Sequence, residues 1–232
     1  MEVIIFVDNS NIFIGGKNKH GKDARFAYEK FVKTVCGGDT LTKKWIFGSA
    51  PPGRDSFWDY MKDHGWEVTV FDRLSGRGEK QVDTSIVAEG VDLIARSIRP
   101  GRLVFLSGDK DFLPLINKAK QYKWSVELWA YEQDMSQELP VACDSVNYLD
   151  EHTEFLYFSK EDGSTETYDE RQMRIAVERE EREKLWAEQR KRSKQESINN
   201  SDKIPWGKLA LGGVGALGIG AWVVKTIRRF PR

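Results

Sequence analysis

The chain has 232 residues, enough for one domain of about 150 residues with an appendage, or for two small domains. It is 40% apolar and 31% charged, as expected of a soluble globular protein that carries a highly charged segment. The formal net charge is zero, but the five basic residues after Ile204 (Lys208, Lys225, Arg228, Arg229 and Arg232) face no acids, leaving 31 basic against 36 acidic residues elsewhere. That balance excludes a domain that holds nucleic acid by bulk positive charge; such a partner needs a local patch or a metal.

In chain order, "VIIFV" (3–7) is the continuous apolar run of a buried parallel strand. "ARFAYEKFVKTV" (24–35) has helical spacing. "KKWIFGSA" (43–50) reads as a second strand, and "PPGRDSFWDYMKDHG" (51–65) as a Pro-started helix closed by Gly. "WEVTVF" (66–71) is a third strand. The long helix 81–98 carries Val82, Ile86, Val87, Val91, Ile94 and Ile98 on its apolar positions. "RLVFLS" (102–107) is a fourth strand, 111–122 a helix, and "SVELWAY" (125–131) a fifth strand. This alternation predicts an α/β fold with a mainly parallel sheet flanked by helices on both faces.

Residues 168–197 form a charged helix with i,i+4 pairs such as Glu178–Arg182 and Glu180–Lys184. It reads as a solvated spacer; a weak coiled coil through Ile175, Val177, Leu185 and Trp186 is the alternative. After a linker at 197–205, residues 209–224 carry no charge. Sixteen helical residues span about 24 Å, and adding Trp206 and Gly207 approaches the roughly 30 Å of a bilayer core. Gly212, Ala216 and Gly220 form a stripe of small residues suited to close helix packing. The expectation is a C-terminal membrane anchor over 206–224, with a basic end; a hydrophobic helix docked in the protein or in an oligomer is the alternative. The start "MEVIIFVDNSN" lacks the basic region of a signal peptide, and Cys36 and Cys143 have no CxxC spacing, so a cytoplasmic first domain is expected.

The acids fall at telling places. Asp8 follows the first strand, and Asp109 and Asp111 follow the fourth. Those two strands flank the point where a doubly wound sheet reverses direction, so their carboxyl ends share a crevice. Asp83 lies near the start of the long helix. Glu89, six residues on, is about 240° around the axis from it, and Asp92 about 180°, so the three cannot all face the crevice. Each acid has a plainer role: Asp111 as an N-cap, Asp83 in a first turn favoured by the helix dipole. A cluster of carboxylates without histidine repels itself unless a cation holds it, and an all-oxygen set points to Mg²⁺ or Mn²⁺.

"VDNSNIF", "KQVDTSIVAEGVDLI" and "LSGDKDFLPLINKAK", in this order, resemble the NYN family of PIN-like ribonucleases. "SVELWAYEQDMSQELPVACDSVNYLD" is similar to that family's closing portion, and the resemblance covers about residues 1–150. It implies a PIN-like fold and metal-dependent cleavage of RNA. Asp8, Asp83, Asp109 and Asp111 match the family's catalytic, metal-holding acids; Asn11 matches the Asn after the first aspartate, and Ser107 and Gly108 shape the turn. Glu89 replaces a frequent Asp, and Asn9 and Ser10 stand where relatives often carry Gly and an acid. The organisation expected is a nuclease domain over 1–158, a charged linker over 159–203 and a hydrophobic segment over 204–232.

Other chemistry is less supported. His20, His64 and His152 are scattered, and "LSGRGEK" (74–80) lacks P-loop spacing. Arg73, Arg77 and Lys80 in one loop, and Lys17, Lys19, Lys22 and Arg25 in the loop after Asp8, are placed to grip single-stranded RNA phosphates, or are simply solvated. Trp58, Trp66, Trp124 and Trp129 read as core rather than as base-stacking platforms. The function expected is a divalent-metal ribonuclease, tethered at its C-terminus and self-associating through the small-residue stripe or the charged helix. The alternative is a membrane-bound regulatory or scaffold protein with a nuclease-like domain and little activity.

Overall fold

A computed structural model describes residues 1–50, 56–72 and 78–201. Its element order is β1 (Glu2–Asp8), α1 (Asn9–His20), β2 (Ala24–Phe26), α2 (Tyr28–Cys36), β3 (Thr40–Ala50), α3 (Ser56–Asp63), β4 (Glu67–Asp72) and α4 (Gly78–Arg96). There follow β5 (Arg102–Leu106), α5 (Leu113–Gln121), β6 (Ser125–Ala130), α6 (Leu139–Ala142), β7 (Ser145–Tyr148), β8 (Leu156–Ser159), β9 (Thr165–Thr167) and α7 (Tyr168–Ser201).

Six parallel strands form the main sheet in the order β4-β3-β1-β5-β6-β7. β1 is buried from Val3 to Asp8 because both of its faces are covered. Alternation along the strand sends Val3, Ile5 and Val7 to one face, with Tyr28 and Phe31 of α2 and Trp58 and Met61 of α3. Ile4 and Phe6 go to the other, with Ile86 and Ile94 of α4 and Leu115 and Ile116 of α5. The chain winds outward from β1 through β3 to β4, then returns by α4 to β5 on the other side of β1. That reversal leaves a crevice at the carboxyl ends of β1 and β5.

Several local expectations are corrected. Residues 24–26 begin no helix; they form β2, which pairs antiparallel with β8, and β8 with β9, in a separate three-stranded sheet. The helix starts only after Ala27, whose N–H donates to the Phe155 carbonyl. The segment after Asp8 is not a loop: Lys17 and Lys19 lie on α1, Lys22 in the following turn and Arg25 on β2. α1 is capped by Asp8 itself, and its two glycines let neighbours close in. A Cβ on Gly15 would stand 2.5 Å from Tyr131 Cδ2. The long helix begins at Gly78, so Asp83 is past the first turn where the dipole acts, and it ends at Arg96, leaving Ile98 exposed.

The chain forms two compact units, Met1–Ala176 and Val177–Arg232. In the first, Ala24, Leu156 and Phe158 of the small sheet make a core with Tyr168 at the start of α7. Glu166 is buried and accepts from Arg174 Nε and Nη2 at 3.0 and 2.8 Å. In the second, the described part of α7 is exposed and carries the expected Lys184–Glu180 ion pair at 2.7 Å. No helix among the described residues is long and apolar enough to cross a membrane; the segment 206–224 lies outside them.

Candidate active site

Asp8 ends β1 and caps α1. Its Oδ1 accepts from the backbone N–H groups of Ser10 and Asn11 at 3.1 and 3.3 Å. Its Oδ2 accepts from Ser107 Oγ, one residue past β5, at 3.1 Å. Ser107 Oγ in turn accepts from the Asp109 N–H at 3.2 Å. Asn11 Oδ1 accepts from the Gly108 N–H at 3.0 Å. These bonds tie the ends of β1 and β5 into one polar network, so the crevice inferred from the strand order is built as a unit. Sequence expectation gave Asn11 and Ser107 positioning roles, and both side chains hold the turn that carries Asp109.

The turn leaves no room for a side chain at position 108. A Cβ there would stand 2.3 Å from the Asp134 carbonyl oxygen, and the Gly108 carbonyl accepts from the Ser136 N–H at 2.8 Å. The β6–α6 connection is therefore seated directly on the Gly108 turn. Asp109 Oδ1 accepts from the Asp111 N–H at 2.9 Å and caps the short 3₁₀ turn 110–112. Asp111 does not provide the helix cap expected of it: it is exposed inside the 3₁₀ turn that Asp109 caps, and α5 starts after Phe112 with no side-chain cap.

Asp8 is only 6% exposed. Burial pushes its carboxyl up to about 6, against the pull of the Asn11 N–H and Ser107, and the neighbouring charge of Asp83 pushes it further in the same direction. Asp83 on α4 therefore acts on the same crevice. Glu89 and Asp92 do not: both are exposed, and Asp92 pairs with Arg96 at 2.8 Å, as the helical angles require. Among the described residues, no three His, Cys, Asp or Glu side chains are grouped closely enough to hold a metal ion.

Of the basic residues expected near the crevice, Lys17 is exposed on α1, whereas Lys19 pairs with Asp150 at 2.8 Å. Arg25 Nη1 donates to the carbonyls of Lys22 and Ala24 at 2.9 Å each. Arg73 and Arg77 lie outside the described residues, as does the side chain of Lys80. Trp58, Trp66, Trp124 and Trp129 are buried, as expected. Sequence reasoning missed a cavity of about 360 Å³ beside Asp8, bordered by Asn9 and by the aromatic rings of Phe13, Phe26, Phe57 and Tyr157. No periodic pattern announced it, because its walls come from α1, β2, α3 and β8.

No curated protein matches the chain. Among solved structures, a protein of unknown function from Vibrio parahaemolyticus is similar, with 21% identity, 67% of this chain and 95% of that one covered, and a TM-score of 0.55. That likeness supports the six-stranded α/β architecture and nothing finer. The sequence model of the NYN domain matches residues 2–150, which span β1 through β7 and every residue of the polar network. The chain therefore belongs to the NYN domain family of PIN-like nucleases.

Proposed function

We propose that the chain is a divalent-metal-dependent ribonuclease whose catalytic carboxylates are Asp8, Asp83, Asp109 and Asp111. The observation that carries this reading is the buried Asp8 carboxyl at the sheet's switch point. It is disfavoured as an anion both by burial and by the charge of Asp83. A cation offsets both costs, and every donor around it (carboxylate, hydroxyl, side-chain amide) is a hard oxygen, the set that suits Mg²⁺ or Mn²⁺.

Asp8 and Asp83 would hold the ion from β1 and α4, and Asp109 and Asp111 from the turn after β5. When bound, such an ion supplies the positive charge that favours in-line attack of water on a phosphodiester. The chain's own part is preorganisation. Two backbone N–H groups and Ser107 Oγ fix the Asp8 carboxylate, and Asn11 fixes the turn bearing Asp109. Lys17, Arg77 and Lys80 would hold the phosphates of a single-stranded RNA.

The test incubates the wild-type chain and an Asp8→Asn, Asp109→Asn variant with single-stranded RNA and Mn²⁺ or Mg²⁺. Cleavage by the wild type that falls about 100-fold or more in the variant supports the reading. Equal background cleavage by both would sink it. One observation favours a second reading, a regulatory or scaffold protein that binds RNA or protein and cleaves little: the described acids are not gathered into a group of three. The same assay separates the two readings.

The proposal extends to location. Membrane attachment through residues 206–224, and self-association through Gly212, Ala216 and Gly220 or through the charged helix, rest on the sequence. A chain recovered wholly soluble, with no carbonate-resistant fraction, would rule the anchor out.

A further inference from the structure

We propose that the aromatic cavity beside Asp8 is a nucleobase subsite that holds one base of the RNA strand next to the acidic crevice. The inference deepens the ribonuclease reading and takes its ligand class from it.

Three observations carry the proposal. First is position: Asn9, which borders the cavity, directly follows Asp8, so the cavity opens one strand over from the crevice, at the carboxyl ends of β1 and β3. A nucleotide seated there would direct its backbone past Asn9 toward the Asp8 end of β1. Second is the lining. Phe13 on α1 is 43% exposed, and Phe26 and Phe57, which pack on the core, are half-buried like Tyr157, so each keeps part of its ring surface for a planar ligand. Single-stranded RNA is held by stacking unpaired bases on such rings and on Arg guanidinium planes. The Arg25 guanidinium lies 5.7 Å over the Phe13 ring, at the same cavity. Third is the hydrogen-bonding balance. Trp58 stands in the cavity wall with its indole N–H buried out of a ligand's reach, so it senses the cavity without donating to an occupant. Asn9 Oδ1 already accepts from the Tyr28 hydroxyl at 2.7 Å, which leaves its amide N–H groups to donate. The wall thus offers donors to the acceptor edge of a base.

The volume agrees. About 360 Å³ is near the lower end of the roughly 300–1,000 Å³ of ligand pockets, suited to one base or nucleoside and not to a stretch of strand.

The test uses the full chain, metal-free in EDTA, so that binding is read without cleavage. ¹⁵N-indole NMR spectra, with the Trp58 signal assigned by its loss in Trp58→Phe, are recorded with AMP, CMP, GMP or UMP, and with ribose 5-phosphate as the base-free control. A Trp58 shift with at least one nucleotide and none with ribose 5-phosphate is expected. Phe13→Ala and Phe57→Ala should each weaken that binding by roughly 5- to 150-fold, the range for one lost stacking ring. In RNA cleavage both variants should raise KM more than they lower kcat. No shift with any nucleotide, in a chain that still cleaves RNA, overturns the subsite and leaves the ribonuclease reading standing. Equal shifts with ribose 5-phosphate overturn it too. A base-dependent, Phe13-dependent shift in a chain that cleaves nothing keeps the subsite and removes the nuclease.

Discussion

Replacing Asp8 by Asn should stabilise the metal-free protein at neutral pH while abolishing cleavage. The Asp8 carboxyl is raised from the ordinary 3.8 to about 6, first by burial and further by Asp83. At 1.36 kcal/mol per pKa unit, holding it ionised above pH 6 costs the fold about 3 kcal/mol. The folded state binds this proton more tightly than the unfolded chain does. The favourable contribution is therefore fully present below about pH 4 and is lost as pH rises through about 6. Asparagine has no charge to bury. Its oxygen can keep the bonds from Ser10 and Asn11, and its amide can donate to Ser107 Oγ. Thermal melts in EDTA should place the Asp8→Asn variant up to about 6–12 °C above wild type at pH 8, at roughly 2–4 °C per kcal/mol for a chain of this size. The gap should close toward pH 4. Adding Mn²⁺ at 100 times its Kd should stabilise the wild type by about 2.7 kcal/mol and the variant by much less. A variant less stable than wild type at pH 8, or a gap that does not change with pH, would refute the burial argument.

Ser107→Ala removes the hydroxyl that donates to Asp8 Oδ2 and accepts from the Asp109 N–H. It should raise the Asp8 carboxyl further, visible in a ¹³C carboxyl titration, and cost about 1–3 kcal/mol at pH 8 in chemical denaturation. Asp83→Asn should move the same titration down, because Asp83 pushes the Asp8 carboxyl up; an unmoved titration would place Asp83 outside the crevice. Gly108→Ala forces backbone apart at the Asp134 carbonyl, 2.3 Å from the new Cβ, so melting should fall by the equivalent of about 1–3 kcal/mol and cleavage should drop with it.

Much of the frame was readable because burial on both faces makes a parallel strand an unbroken apolar run. "VIIFV" and "RLVFLS" stand out for that reason, and the doubly wound fold class, which reverses direction between them, makes β1 and β5 neighbours. The helix α1 was not readable. "NSNIFIGGKNKH" has no apolar stripe and contains two glycines, so propensity argues against it. It forms because Asp8 caps it and because Gly15 and Gly16 let Tyr131 pack close. The three-residue strand β2 reads locally as the start of a helix, since its pairing partner Leu156–Ser159 lies some 130 residues downstream.

The sequence by itself determined the α/β alternation, the carboxylates at strand ends and the family to which the chain belongs, because local patterns and short motifs carry that information. Only the tertiary structure decided which aspartate caps which turn, how deeply Asp8 is buried, and that Phe13, Phe26, Phe57 and Tyr157 line one cavity. A hydrogen bond such as that between Asp8 and Ser107 joins residues about a hundred positions apart. Contacts at that range depend on how the strands stack, which no local spacing records.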